Sequence, residues 1–203
     1  MMSVLKTSVA MAALIMSAGS VLAEPPKPDV AKLVTPAVIE DMRKFIDTEI
    51  VQVSVEAQNA RFDNLTQDKI DTLDNQWKAE REAADKPLIA ATLSSPLSVY
   101  LARIQGKSLG LYAEIFVMDK TGLNVGQSSV TSDFWQGDED KYQKTFAVAD
   151  DALFVDEAEW DDEAKIWRDQ VSFTILSADK KKIGAVTVEL NLTELERRMQ
   201  AGS

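Results

Sequence analysis

The sequence predicts an α+β domain, a long N-terminal helix packed on a single antiparallel sheet of about five strands. Three observations carry that expectation. From Thr35 apolar residues recur at three- and four-residue spacing, the period of a helix with one buried face. From Leu111 the pattern changes to alternation rich in β-branched and aromatic residues, the period of a strand. Helical segments precede the strands, with one short helix inserted between the second and third, an order that suits one sheet with helices against it rather than a parallel βαβ array.

Thr35 can cap the first helix and Pro36 suits its first turn. Val38, Met42, Phe45, Ile46, Ile50, Val53 and Ala57 then form one apolar stripe, read as core rather than as a dimer seam, which would need a sustained heptad. A polar break at Asp63-Asn64-Leu65-Thr66 precedes a second helix over 67–84, with Ile70, Leu73 and Trp77 on one face. Pro87 ends that helix or starts a new turn, and Ser94-Ser95-Pro96 and Gly106 divide residues 88–110 into one or two short helices and a loop. Strands follow at 111–118 and 123–127 around the turn Asp119-Lys120-Thr121-Gly122. A short helix at 141–148, a third strand near 153–160, a hairpin of 165–176 with 183–190, and a closing helix at 192–199 complete the chain.

Composition removes several chemistries. The chain has no cysteine and no histidine, which excludes a disulfide framework, a thiolate nucleophile, a zinc site of the usual ligands and an imidazole-dependent hydrolase. No cofactor is implied. Carboxylate or serine-lysine chemistry would survive, but no local spacing points to either, so an enzyme is not expected. The formal charge of -11 makes nucleic acid and anionic lipid poor partners. At the N-terminus, Lys6, the apolar run 9–18 and Val21-Leu22-Ala23 have the order of an export signal cleaved after residue 23. Residues 1–23 are thus expected as a signal peptide, 24–34 as a proline-rich linker and 35–203 as one domain in the periplasm. Cleavage removes one base and no acid, taking the charge from -11 to -12.

Four segments resemble one known family. Tyr112-Ala113-Glu114-Ile115-Phe116-Val117-Met118-Asp119-Lys120-Thr121-Gly122 looks like a first strand with its Asp-x-x-Gly turn, and 123–128 like the second strand. Phe134-Trp135-Gln136-Gly137-Asp138-Glu139 with Lys141-Tyr142-Gln143 looks like a tryptophan loop and short helix over a pocket, and 182–192 like the last strand and its exit into a helix. In this order they are similar to Cache or PDC sensor domains, which are extracytoplasmic and PAS-like. The resemblance covers about 35–195 and implies a PAS-like sheet, a small-molecule ligand and a membrane-bound signalling partner. The motifs lack the arginine that in this family grips an amino-acid carboxylate just before the loop tryptophan.

Six residues are candidates for the ligand site. The Trp135 indole can pack over a solute while its N–H donates. Tyr112 and Tyr142 can present hydroxyls from the first strand and the short helix. Asp133 and Asp151 can pair with an ammonium group, and Arg103 can grip a carboxylate. With two acids and no arginine in the loop, a neutral or cationic ligand is expected. The acidic run from Asp156 to Glu163 lacks a calcium loop's pattern and reads as a solvated hairpin. Trp160 and Trp167 flank it as a cross-strand pair, and Lys180-Lys181-Lys182 as a hairpin tip. The function expected is a noncatalytic periplasmic binding module that signals to a separate membrane partner. The alternative is a ligand-free interaction protein that uses the same fold to dock.

Overall fold

The computed structural model describes residues 25–202; the expected signal peptide lies outside the described residues. Helices α1 (Val30–Leu33), α2 (Pro36–Ile46), α3 (Glu49–Arg61), α4 (Gln67–Glu82), α5 (Pro87–Leu93) and α6 (Pro96–Lys107) lead into strands β1 (Tyr112–Asp119) and β2 (Asn124–Gln127). After α7 (Asp140–Gln143) come β3 (Leu153–Val155), β4 (Glu159–Asp161), β5 (Ile166–Leu176) and β6 (Lys182–Asn191), and α8 (Leu192–Ala201) closes the chain. The sheet runs β2-β1-β6-β5-β3, all neighbours antiparallel, with β4 also paired to β5. This is the PAS-like α+β architecture predicted, with the last strand at its centre. Among the described residues no single helix is long and apolar enough to cross a membrane.

The first helix starts as predicted, with Thr35 Oγ1 accepting from the Val38 N–H at 3.4 Å and Pro36 in the first turn. It is interrupted, however, at Asp47-Thr48, where Thr48 turns extended. Met42 and Ile46 are fully buried before the break, Val51 and Val55 after it. The five-residue step from 46 to 51 moves the stripe, so Val53 and Ala57 face solvent. The unbroken stripe is therefore corrected to two helices whose buried faces meet the sheet. Leu33 and Val34 join the same core, so packing reaches into the expected linker, where the Trp167 indole N–H also donates to the Pro25 carbonyl at 3.3 Å.

Pro87 and Pro96 each begin a helix. Ser95 Oγ accepts from the Ser98 N–H at 3.1 Å, and Ser98 Oγ accepts from the β2 amide of Gln127 at 3.0 Å while donating to Thr92. One short motif thus caps α6 and ties it to the sheet edge. Ser95→Ala is expected to lower stability by about 1 kcal/mol, the usual worth of such a cap, measured as a urea midpoint shift at unchanged slope.

One face of the sheet is covered by α2, α3, α6 and α8, through Ile115, Val117, Val171, Phe173, Ile175, Val186, Val188 and Leu190. The other face carries Phe116, Met118 and Ala185 and, further along, the Ser172–Thr187 hydroxyl pair at 2.9 Å. Tyr142 and Phe146 cover only its apolar part. The short helix expected over 141–148 is one turn followed by irregular turns.

The third strand is also divided. The Asp156 N–H still donates to the Gln170 carbonyl at 3.0 Å, but Glu159 is already opposite Arg168. Three residue steps on one strand thus oppose two on the other, which is a β-bulge at Glu157-Ala158. Beyond it Trp160 and Trp167 pair across the hairpin as predicted, with ring centroids 5.6 Å apart.

Candidate functional site

Asp119 organises the turn on which the tryptophan loop rests. Its Oδ1 accepts from the Thr121 N–H and hydroxyl, at 2.7 and 2.6 Å, and from the Leu123 N–H at 3.2 Å, while Oδ2 accepts from Gln58 of α3 at 2.8 Å. Gly122 has φ 85° and a Cβ there would meet the backbone of Gly137 at 2.6 Å. Two glycines in contact let the loop lie on the turn, a close approach that side chains would prevent.

The loop is also held from the side by α4, which the sequence did not connect to it. Asp74 Oδ1 accepts from the N–H groups of Phe134 and Trp135 at 2.9 and 3.0 Å. Lys78 bridges Asp74 and Asp133, each at 2.7 Å. The fully buried Trp77 stacks on Phe134 at 5.1 Å and donates its N–H to Thr131 at 3.0 Å. Asp74→Ala is expected to cost about 2–3 kcal/mol, because it strands two loop donors. Asp74→Asn, which keeps an acceptor, should lose clearly less in the same denaturation series.

This geometry disperses the six predicted residues. Trp135 donates its indole N–H to the Thr121 carbonyl at 2.8 Å and packs with the α4–α5 cluster. Tyr112 packs tilted against Phe45, ring centroids 5.2 Å apart, on the helix-covered face; burial, then the charge of Asp41, raises its phenol pKa. Tyr142 lies on the opposite face and donates to the Lys120 carbonyl at 2.7 Å; burial, then Asp119, pushes its pKa up to about 12. Tyr112 and Tyr142 therefore do not share a cavity. Burial works against the charge of Asp133, but the Lys78 ammonium outweighs it and holds the carboxyl below its ordinary range. Asp151 is exposed in a turn, and Arg103 is exposed on α6.

What opens over the sheet is a cavity of about 480 Å³ between the bulged β3–β4 edge, the start of α7 and the ends of β5 and β6. Eight acids line it, Glu139, Asp140, Asp156, Glu157, Glu159, Asp161, Asp169 and Glu189, with Lys141, Arg168, Trp160 and Gln170. Arg168 is engaged by Asp161 through Nη2 and by Glu189 at 2.7 Å through Nη1, while its Nε is buried without a partner. Lys141 is held by Glu139 at 2.7 Å and by Gln136 at 3.2 Å. Asp169 borders the cavity but alternates with Trp167, Val171 and Phe173 and pairs with Leu190, so its side chain lies on the helix-covered face, 2% exposed and without a well-formed hydrogen bond to either carboxylate oxygen. Burial, then the charge of Asp156, pushes its pKa up to about 7. Glu114, next to Glu189 on this part of the sheet, is raised by burial as well. Part of the acidic run read as a solvated hairpin thus forms a wall of the cavity. The visible signal was the density of acids beside Trp160; the bulge, which buries Ala158 and leaves Asp156, Glu157 and Glu159 exposed at the rim, had none.

The fold and the cavity together define a PAS-like domain with an acidic, small-molecule-sized recess on the part of the sheet that helices leave open. Among solved structures, the sensory domain of the Campylobacter jejuni chemoreceptor Tlp3 is similar to this chain at 16% identity and TM-score 0.39, over 79% of this chain and 57% of that one. The sensor domain of the Vibrio cholerae histidine kinase DctB is similar at 12% identity and TM-score 0.37, over 79% and 58%. The Escherichia coli DcuS sensor domain is similar at 20% identity and TM-score 0.37, over 64% and 96%. The chain spans little more than half the length of the first two. No protein-family model matches the sequence, and no curated protein matches it.

Proposed function

We propose that this chain is the binding module of a periplasmic sensor: a small solute enters the acidic cavity, and the shifted conformation is read by a separate membrane-bound partner. The activity is recognition without catalysis. The observation that carries the reading is the cavity itself, whose volume falls within the range of metabolite sites. It opens beside α7, which the tryptophan loop leads into, so Lys141 and Gln136 connect the cavity wall to the loop that α4 holds. A ligand that bound only the closed arrangement of this wall would shift the population toward it, which is what signalling requires. The excess of acids supports the neutral or cationic ligand expected earlier, with the β3–β4 acids in place of Asp133 and Asp151.

A thermal-shift screen of amines, amino acids, sugars and carboxylates tests the proposal. A true ligand at one hundred times its Kd adds about 2.7 kcal/mol to stability, a rise of several degrees for a chain of this size. No shift across the panel, together with no copurified solute in native mass spectrometry, would overturn it. The second reading, a ligand-free docking protein, is favoured by the internal commitment of Trp135, Tyr142 and Asp133. It predicts that Glu159→Gln, in the cavity, leaves partner capture unchanged.

A further inference from the structure

Away from the cavity, we infer that the N-terminal segment 25–28 is a proton-controlled strap: it docks on the helix-covered face while the buried Asp169 carboxyl beside it is neutral, and it lifts off when that carboxyl ionises. This holds whatever the cavity binds. The segment crosses the Trp167 end of β5, where the Trp167 indole N–H donates to the Pro25 carbonyl at 3.3 Å and Lys27 pairs with Glu157 at 3.3 Å. Two residues along the same strand and on the same face, Asp169 is enclosed, with no well-formed hydrogen bond to either oxygen. Lys27 is near enough for its charge to act on that carboxyl.

The strap is the most easily moved part of the surroundings of Asp169. Pro25, Pro26 and Pro28 have no N–H to donate. The polar ties of the segment among the described residues are one long hydrogen bond and one ion pair, in which Lys27 is half exposed and Glu157 almost fully so. An exposed pair of that kind adds little. The other neighbours are core: Val171 and Leu190 are fully buried, and Leu33 and Val34 anchor the chain beyond the strap. Successive prolines stiffen the backbone, so the segment moves as one piece about its junction with α1. The charged groups facing Asp169 are Asp156, from the chain before the bulge, and Lys27, from the strap. Arg168 points to the other face and is held by Asp161 and Glu189, and Glu194 of α8 is closed on Arg197 and Arg198. Burial and then Asp156 push the Asp169 pKa up to about 7, and Lys27 is the smallest of the influences on it. Ionisation inside the docked arrangement is therefore opposed, and water has to reach the carboxylate. The lifted state returns Asp169 toward its ordinary 3.8. Docking is thus strongest below about pH 4, weakens as pH rises, and has lost the proton's contribution once pH passes 7. Lifting also takes Lys27 off Glu157 on the cavity rim, so the same proton changes the charge at the cavity mouth.

The Trp167 indole N–H reports docking directly, because its acceptor lies on the strap. Hydrogen exchange of that N–H, followed by NMR on the purified chain and normalised to free indole at each pH, should show protection falling about tenfold or more between pH 5 and pH 8. Asp169→Asn, which cannot ionise, should keep the pH 5 protection throughout. Asp156→Asn, at an exposed position, should shrink the fall by removing the like charge. Lys27→Gln should lower protection at every pH and leave its pH dependence in place. Protection that stays constant or rises with pH in the unaltered chain would overturn the inference, as would a fall that persists in Asp169→Asn. Loss of the pH dependence in Lys27→Gln would overturn it too, since Lys27 would then be the counter-charge that Asp169 acquires.

Discussion

Replacing Trp77 by alanine is expected to lower stability by roughly 3–5 kcal/mol, the cost of emptying a fully buried aromatic site, and to loosen the loop 131–137 selectively. The indole is the centre of the smaller core formed with Ile70, Ile89, Leu123 and Phe134. Its stacking on Phe134 and its hydrogen bond to Thr131 are both lost, so the penalty includes an unpaired carbonyl as well as a void. Trp77→Phe should keep the ring packing and recover more than half of the loss. Hydrogen exchange checks the selectivity: amides of Phe134 and Trp135 should lose protection in Trp77→Ala, while those of β5 and β6 change only with global stability.

The second large effect is at Asp169. Its folded-state pKa is raised from the ordinary 3.8 to about 7, so the native state keeps a proton that the unfolded chain has released between those values. The favourable contribution is complete below about pH 4 and is lost as pH rises through 7, where the buried carboxylate ionises. Asp169→Asn removes that ionisation and is expected to stabilise the ligand-free protein by roughly 2–4 kcal/mol at pH 8, with little change at pH 4. Thermal midpoints of both proteins across pH 4 to 8 should therefore diverge toward the alkaline end. Parallel curves would show that Asp169 is solvated or paired in the folded protein.

Much of the fold was legible because its determinants are local. Thr35-Pro36 and Ser95-Pro96 are start signals that function within one turn. The Asp119 to Gly122 turn is written into four residues, and the long hairpin of β5 with β6 follows from alternation around Lys180, whose φ of 61° suits a turn tip. The helix break at Asp47-Thr48 was missed because apolar residues on both sides kept a helical period, although the register between them had moved.

By itself, then, the sequence determined the α+β class, the order and approximate bounds of the elements, and the exclusion of thiol and imidazole chemistry. Those depend on residue type, short-range spacing and net composition. Only the tertiary structure decided which acids face one another. The cavity draws its walls from residues 139–141, 156–161, 168–170 and 189, brought together by strand pairing and by one extra residue at the bulge. Residues that alternate along a strand take opposite faces, so Asp169, two residues from both Trp167 and Val171 on β5, is buried on the helix-covered face, while the Asp119 turn and α4 turned Trp135 into packing.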